Sequence, residues 1–104
     1  MDLQLIGKRA LVTGSSVGIG ETIARTLAVE GVAVAVHGRE RERAERVAAE
    51  IVAAGGSAVV VLGDLTHDDE VKRIAEAAGR LLGGVDILVN NAGGSGEKQP
   101  CGIR

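Results

Sequence analysis

No phenylalanine, tyrosine or tryptophan occurs anywhere in this chain of 104 residues. Its core must be built from Val, Ile, Leu and Ala, without the large area that each buried aromatic ring supplies. Cysteine occurs once, at Cys101, which excludes an internal disulfide and suits a reducing cytoplasm. Residues 1–9 contain no long apolar run, so no signal peptide or membrane span is expected there. Neither sign of charge dominates: 12 Lys and Arg stand against 14 Asp and Glu, a net charge of −2. That balance argues against nucleic acid or a membrane surface as a partner. The two histidines, His37 and His67, have no metal-ligand companions. Structural or solvent roles are expected for both, and no metal site.

What remains is a globular composition, 45% hydrophobic and 25% charged, of a length that allows one domain. Apolar periodicity alternates along it. Strands are expected over 8–13, 32–37, 58–62 and 85–89, and helices over 19–30, 41–54 and from Thr66 to Leu82. The second helix has a stripe of Ala44, Val47, Ala48, Ile51 and Val52. The third has Val71, Ile74, Ala75, Ala78 and Leu82, with Thr66 and Asp69 resembling a capping box. This β-α-β-α-β-α-β order calls for an α/β, Rossmann-like parallel sheet in the order 3-2-1-4, half of a doubly wound sheet. Residues 1–94 form that half domain, and 95–104 read as an irregular tail.

The most informative stretch is Thr13-Gly14-Ser15-Ser16-Val17-Gly18-Ile19-Gly20, directly after the first strand. Glycines at these spacings permit a tight turn, close backbone approach to a pyrophosphate, and close packing of helix on sheet. The helix that follows offers unpaired N–H groups and its positive dipole end to phosphates. A P-loop is excluded because no Gly-Lys-Ser/Thr follows. A methyltransferase site would share the turn but leaves Asn90-Asn91-Ala92-Gly93, at the end of the fourth strand, unexplained.

With these motifs the chain resembles the short-chain dehydrogenase/reductase family over residues 6–94. The cofactor turn is matched by Thr13, Gly14, Gly18 and Gly20, and the element after the third strand by Asp64-Leu65. The fourth-strand element is matched by Gly83, Val85, Asp86, Ile87, Leu88, Val89, Asn90, Asn91, Ala92 and Gly93. The resemblance implies that Gly14, Ser15, Ser16, Gly18, Ile19 and Gly20 cradle the pyrophosphate and adenosine ribose. It implies that Asp64 and the Leu65 backbone meet the adenine. Asn90, Ala92 and Gly93 would border the nicotinamide ribose, and Asp86 would stabilise the sheet. The position that carries a carboxylate in NAD-selective folds aligns with Gly38, and Arg39 follows it. NADP(H) is therefore expected over NAD(H), because arginine can pair with a 2′-phosphate. The competing reading makes Arg39 only the start of the charged stretch 39–46, in which Glu42 and Arg46 have i,i+4 spacing.

Family members transfer hydride with a serine and a Tyr-x-x-x-Lys pair, and a chain without tyrosine cannot supply it. The expectation is the cofactor-binding N-terminal portion of an oxidoreductase acting on a carbonyl or alcohol, inactive alone. The alternative is a free-standing dinucleotide-binding or interaction module that acts through its open sheet edge. The fourth strand at that edge points to self-association or to pairing with a missing C-terminal half.

Overall fold

The computed structural model describes residues 5–64 and 68–91. Among them the elements run β1 (Arg9–Val12), α1 (Gly18–Val29), β2 (Ala33–Gly38), α2 (Arg41–Ala53), β3 (Ser57–Leu62), α3 (Asp68–Leu82) and β4 (Ile87–Val89). The four strands form one parallel sheet in the order β3-β2-β1-β4, as expected. Thr66, the expected cap of the third helix, and the tail from 95 lie outside the described residues.

Strand register explains why this sheet is so apolar. Pairing sets Val60, Val36, Val12 and Val89 side by side across all four strands. These valines pack in one cluster with Ala24 and Leu27 of α1 and Ala44, Val47, Ala48 and Ile51 of α2. One residue earlier, Val59, Ala35, Leu11 and Leu88 form the neighbouring row. Because successive side chains alternate across a strand, that row faces the other way and packs with Ile74 and Ala78 of α3. Both faces of the central strands are covered, which is why β2 reads as a nearly continuous apolar run. β-branched valine is well suited to such a pleated surface.

Coverage by α3 is narrower than its sequence stripe suggests. Ile74 and Ala78 are buried, whereas Val71 is 45% exposed and Ala75 is exposed as well. Ala77 takes a place in the cluster instead. Among the described residues α3 is the one helix over this face, and it packs on the sheet through Ile74, Ala77 and Ala78. In α2, Val52 likewise lies outside the buried face, at 53% exposure.

At the amino end of the sheet a latch joins β1 to the start of β4. The Arg9 amide donates to Asp86 Oδ2 at 2.9 Å, and Arg9 Nε donates to the same oxygen at 3.0 Å. The Asp86 amide returns a bond to the Arg9 carbonyl at 2.7 Å. A second guanidinium nitrogen reaches the Gly83 carbonyl at 2.8 Å. Asp86 thus has the sheet-stabilising position expected of it, and its hydrogen bonds from Arg9 hold its carboxyl below the usual carboxylate range.

The native contribution of Asp86 is therefore present above the ordinary carboxylate pKa and is lost as pH falls through its own lower value. Urea melts of the wild type and Asp86→Asn at neutral pH should show the variant less stable. The gap should close in acid, where the wild-type carboxyl is also protonated. A gap that stays constant with pH would contradict this role.

Candidate functional site

All four parallel strands end on the same side, and the segments after them converge there. The turn between β1 and α1 is the hub. Gly14 and Gly18 both have left-handed φ, +62° and +63°. Gly20, on the first turn of α1, is pressed against the loop. A Cβ there would stand 2.0 Å from the Gly14 carbonyl oxygen and 2.7 Å from Asn91 Nδ2. Gly18 differs, because a Cβ there would meet nothing within 4 Å, so its outer side is open. Val17, the residue before α1, makes no side-chain capping bond. The first turn of α1 keeps its backbone donors without a side-chain cap, as an anion site requires.

The turn is tied to strands on both sides. Toward β4, the Thr13 amide donates to the Val89 carbonyl at 3.0 Å. Thr13 Oγ1 accepts from the Asn91 amide at 2.8 Å. The Thr13 hydroxyl also lies 3.3 Å from the Val89 carbonyl and from Asn90 Oδ1. Asn91 Nδ2 donates to the Gly14 carbonyl at 3.3 Å. Toward β2, the Gly14 amide donates to His37 Nδ1 at 2.9 Å, and the Ser15 amide to the His37 carbonyl at 2.8 Å. The His37 amide donates to Ser15 Oγ at 2.8 Å. His37 and Asn91 both brace the turn, although neither was among the expected site residues. Asn91 could have been found from its place in the Asn90–Gly93 motif; His37 sits in an apolar run without such a signal.

The remaining expected residues take distinct positions. Ser15 is fully buried and Ser16 nearly so, whereas Ile19 is 73% exposed. Asn90 is exposed at the end of β4, and Asp64 is half-buried just after β3. Leu65, Ala92 and Gly93 lie outside the described residues.

Gly38 ends β2 with Ser16 lying over it: a Cβ there would come within 2.6 Å of Ser16 Oγ and 2.9 Å of Ser16 Cβ. The site accordingly has no room for a carboxylate side chain at 38 while Ser16 stays in place. Arg39, beside it, is exposed. The ion pairs of this charged stretch are Glu40 with Arg43 at 3.1 Å and Arg41 with Glu45 at 3.4 Å, rather than Glu42 with Arg46. Arg39 is engaged in neither of them.

Comparison with known proteins gives a consistent picture. The family profile described as short chain dehydrogenase matches residues 8–101. Nodulation protein G of Rhizobium sp. (strain N33) is 48% identical over 90 residues, which are 86% of this chain and 36% of that protein. The 7alpha-hydroxysteroid dehydrogenase of Escherichia coli (strain K12) is 44% identical over 97 residues, 93% of this chain and 38% of that one. A crystal structure of hydroxysteroid dehydrogenase from Escherichia coli matches with a TM-score of 0.84 at 42% identity, covering 94% of this chain and 43% of that one. A 7 alpha-hydroxysteroid dehydrogenase complexed with NADH and 7-oxo glycochenodeoxycholic acid gives a TM-score of 0.85 at 42% identity, covering 94% of this chain and 40% of that one. The chain thus spans somewhat over a third of the length of the relatives it matches in sequence.

The packing of Gly20 sets a test of sign. Alanine at a helical glycine ordinarily stabilises by about 1 kcal/mol. Here Gly20→Ala should instead destabilise by roughly 1–3 kcal/mol, the usual cost of overpacking. Chemical denaturation of the variant beside the wild type checks this, and a stabilised variant would contradict the geometry.

Proposed function

The chain belongs to the short chain dehydrogenase family, and from that premise we propose that it is the NADP(H)-binding N-terminal portion of an oxidoreductase. The observation that carries the reading is the turn from Gly14 to Gly20, with open space outside Gly18 and Gly20 seated against the Gly14 carbonyl. In a complete enzyme a bound nicotinamide cofactor would donate a hydride to a carbonyl when reduced, or accept one from an alcohol when oxidised. The chain's own residues bind and orient. Backbone groups of Gly14, Ser16, Gly18, Ile19 and Gly20 hold the pyrophosphate and adenosine ribose, with Thr13 and Ser15 keeping the turn in shape. Asp64 and Leu65 meet the adenine, and Asn90, Ala92 and Gly93 border the nicotinamide ribose.

Preference for NADP(H) is supported by two neighbouring residues. Gly38 leaves no space for a carboxylate that would bind a ribose 2′-hydroxyl and repel a 2′-phosphate. Arg39 is exposed beside it and can pair with that phosphate through two parallel N–H bonds. With no tyrosine in the chain, proton transfer in the family's manner needs residues that these 104 do not supply. We therefore propose that they bind cofactor without turning over substrate, and that β4 at the sheet edge pairs with a second copy or with the remaining half of an enzyme. Among the described residues no helix is long and apolar enough to cross a membrane. We assign the chain to the cytoplasm, with a dinucleotide as its ligand. The family match over residues 8–101 supports this reading over a free-standing docking module.

Calorimetric melts with NADPH or NADH test the assignment. At a hundredfold excess over Kd a ligand of the folded state adds about 2.7 kcal/mol. NADPH should raise the transition more than NADH does. Arg39→Ala should weaken NADPH by about 1.5–3 kcal/mol, as for bonds to a charged group, and leave NADH unchanged. Equal shifts for the two cofactors, or a larger one for NADH, would overturn the preference.

A further inference from the structure

We propose that His37 is a positioning residue for the phosphate-binding turn, holding Gly14 and Ser15 in their binding geometry only while its ring is neutral and protonated at Nε2. The inference rests on the reading of that turn as a dinucleotide cradle.

Two contacts select the state of the ring. The Gly14 amide donates to Nδ1 at 2.9 Å, so Nδ1 must present a lone pair. Nε2 lies 3.0 Å from the Gly63 carbonyl, which only accepts, so Nε2 must carry the proton. One neutral tautomer satisfies both, and an imidazolium satisfies only the second. His37 is 2% exposed, so water is poorly placed to take over a lost contact. Its backbone reinforces the arrangement by exchanging hydrogen bonds with Ser15. Through one side chain the start of the cradle is thereby fixed to the end of β3.

Protonation at Nδ1 would set an N–H against the Gly14 N–H. The turn would then have to move, and its spacing to Gly20 and Ser16 with it. Burial pushes the ring's pKa below the ordinary imidazole value, while the Gly63 carbonyl and the charge of Asp64 pull the other way. Other charged groups belong to the elements packed around it. Glu70 of α3 approaches Gly63 and pairs with Arg73, and Arg39 and Glu40 after β2 are exposed. Thr13 to Gly20 contain no titratable side chain. The contribution of His37 is therefore complete above the ordinary imidazole pKa and is lost as pH falls toward its own lower value.

The test combines NMR on the full chain with NADP+ binding across pH. In the ligand-free protein the ¹⁵N shifts of the ring should report a bare Nδ1. The Gly14 amide should shift with the same midpoint as the ring. Affinity for NADP+ in the wild type should fall by roughly tenfold or more across that midpoint, relative to His37→Asn. The asparagine oxygen can occupy the place of Nδ1 and does not titrate. Comparing the two proteins removes the titration of the 2′-phosphate itself. His37→Leu should bind roughly tenfold more weakly already at neutral pH. A ring protonated at Nδ1 when neutral, or a Gly14 amide indifferent to its titration, would overturn the inference. So would identical pH profiles for the wild type and His37→Asn. Failure of NADP+ to bind at any pH, with the coupling of ring to Gly14 intact, would instead overturn the dinucleotide reading.

Discussion

The architecture depends on β1 being hydrogen-bonded on both sides. Only because β2 and β4 flank it in parallel do their carboxyl ends arrive at the turn after Val12. Thr13 is then held by Val89, Asn90 and Asn91 on one side, and Gly14 and Ser15 by His37 on the other. A turn with two left-handed glycines has little intrinsic preference for a single shape and a high entropic cost of ordering. These lateral bonds supply the shape. The same ladder sets the valine rows in register, so the packing of all three helices and the geometry of the turn share one cause.

The two ends of the sheet are built differently. The amino end of the sheet carries the Arg9–Asp86 latch, an exposed arrangement that orders the start of β4. The carboxyl end has an α1 start without a side-chain cap and exposed side chains at Ile19, Arg39 and Asn90. Between them lies a core of small β-branched and aliphatic residues, which manages without aromatic area by covering both faces of the central strands. Its weaker side is the face under α3. There, among the described residues, one helix covers the sheet, and Val71, Leu81 and Val85 are exposed.

Much of this was legible in the residues themselves. Long apolar runs bounded by glycines located the strands to within two residues, because buried parallel strands tolerate little else. The glycine spacing located the tight turn between β1 and α1, since Gly20 has room for nothing larger. Arg39 was also visible, but the reason that no carboxylate fits beside it was not, since it lies in the packing of Ser16 on Gly38. His37 escaped for a similar reason. A histidine at the end of a strand shows its role only when its two ring nitrogens are seen between two backbone groups far apart in sequence. The α3 stripe is wider than its buried face because periodicity reports which residues can be buried, not how much sheet lies beneath them.

The central claim is that the carboxyl ends of these strands form a dinucleotide cradle. Mapping backbone amide shifts of the chain on addition of NADP+ tests it most directly. The account predicts saturable changes concentrated at Gly14–Gly20, Gly38–Arg39, Asp64 and Asn90–Asn91, with the Arg9–Asp86 latch unaffected. Changes concentrated elsewhere, for example on α2 and α3 away from the strand ends, or no saturable change at all, would contradict it.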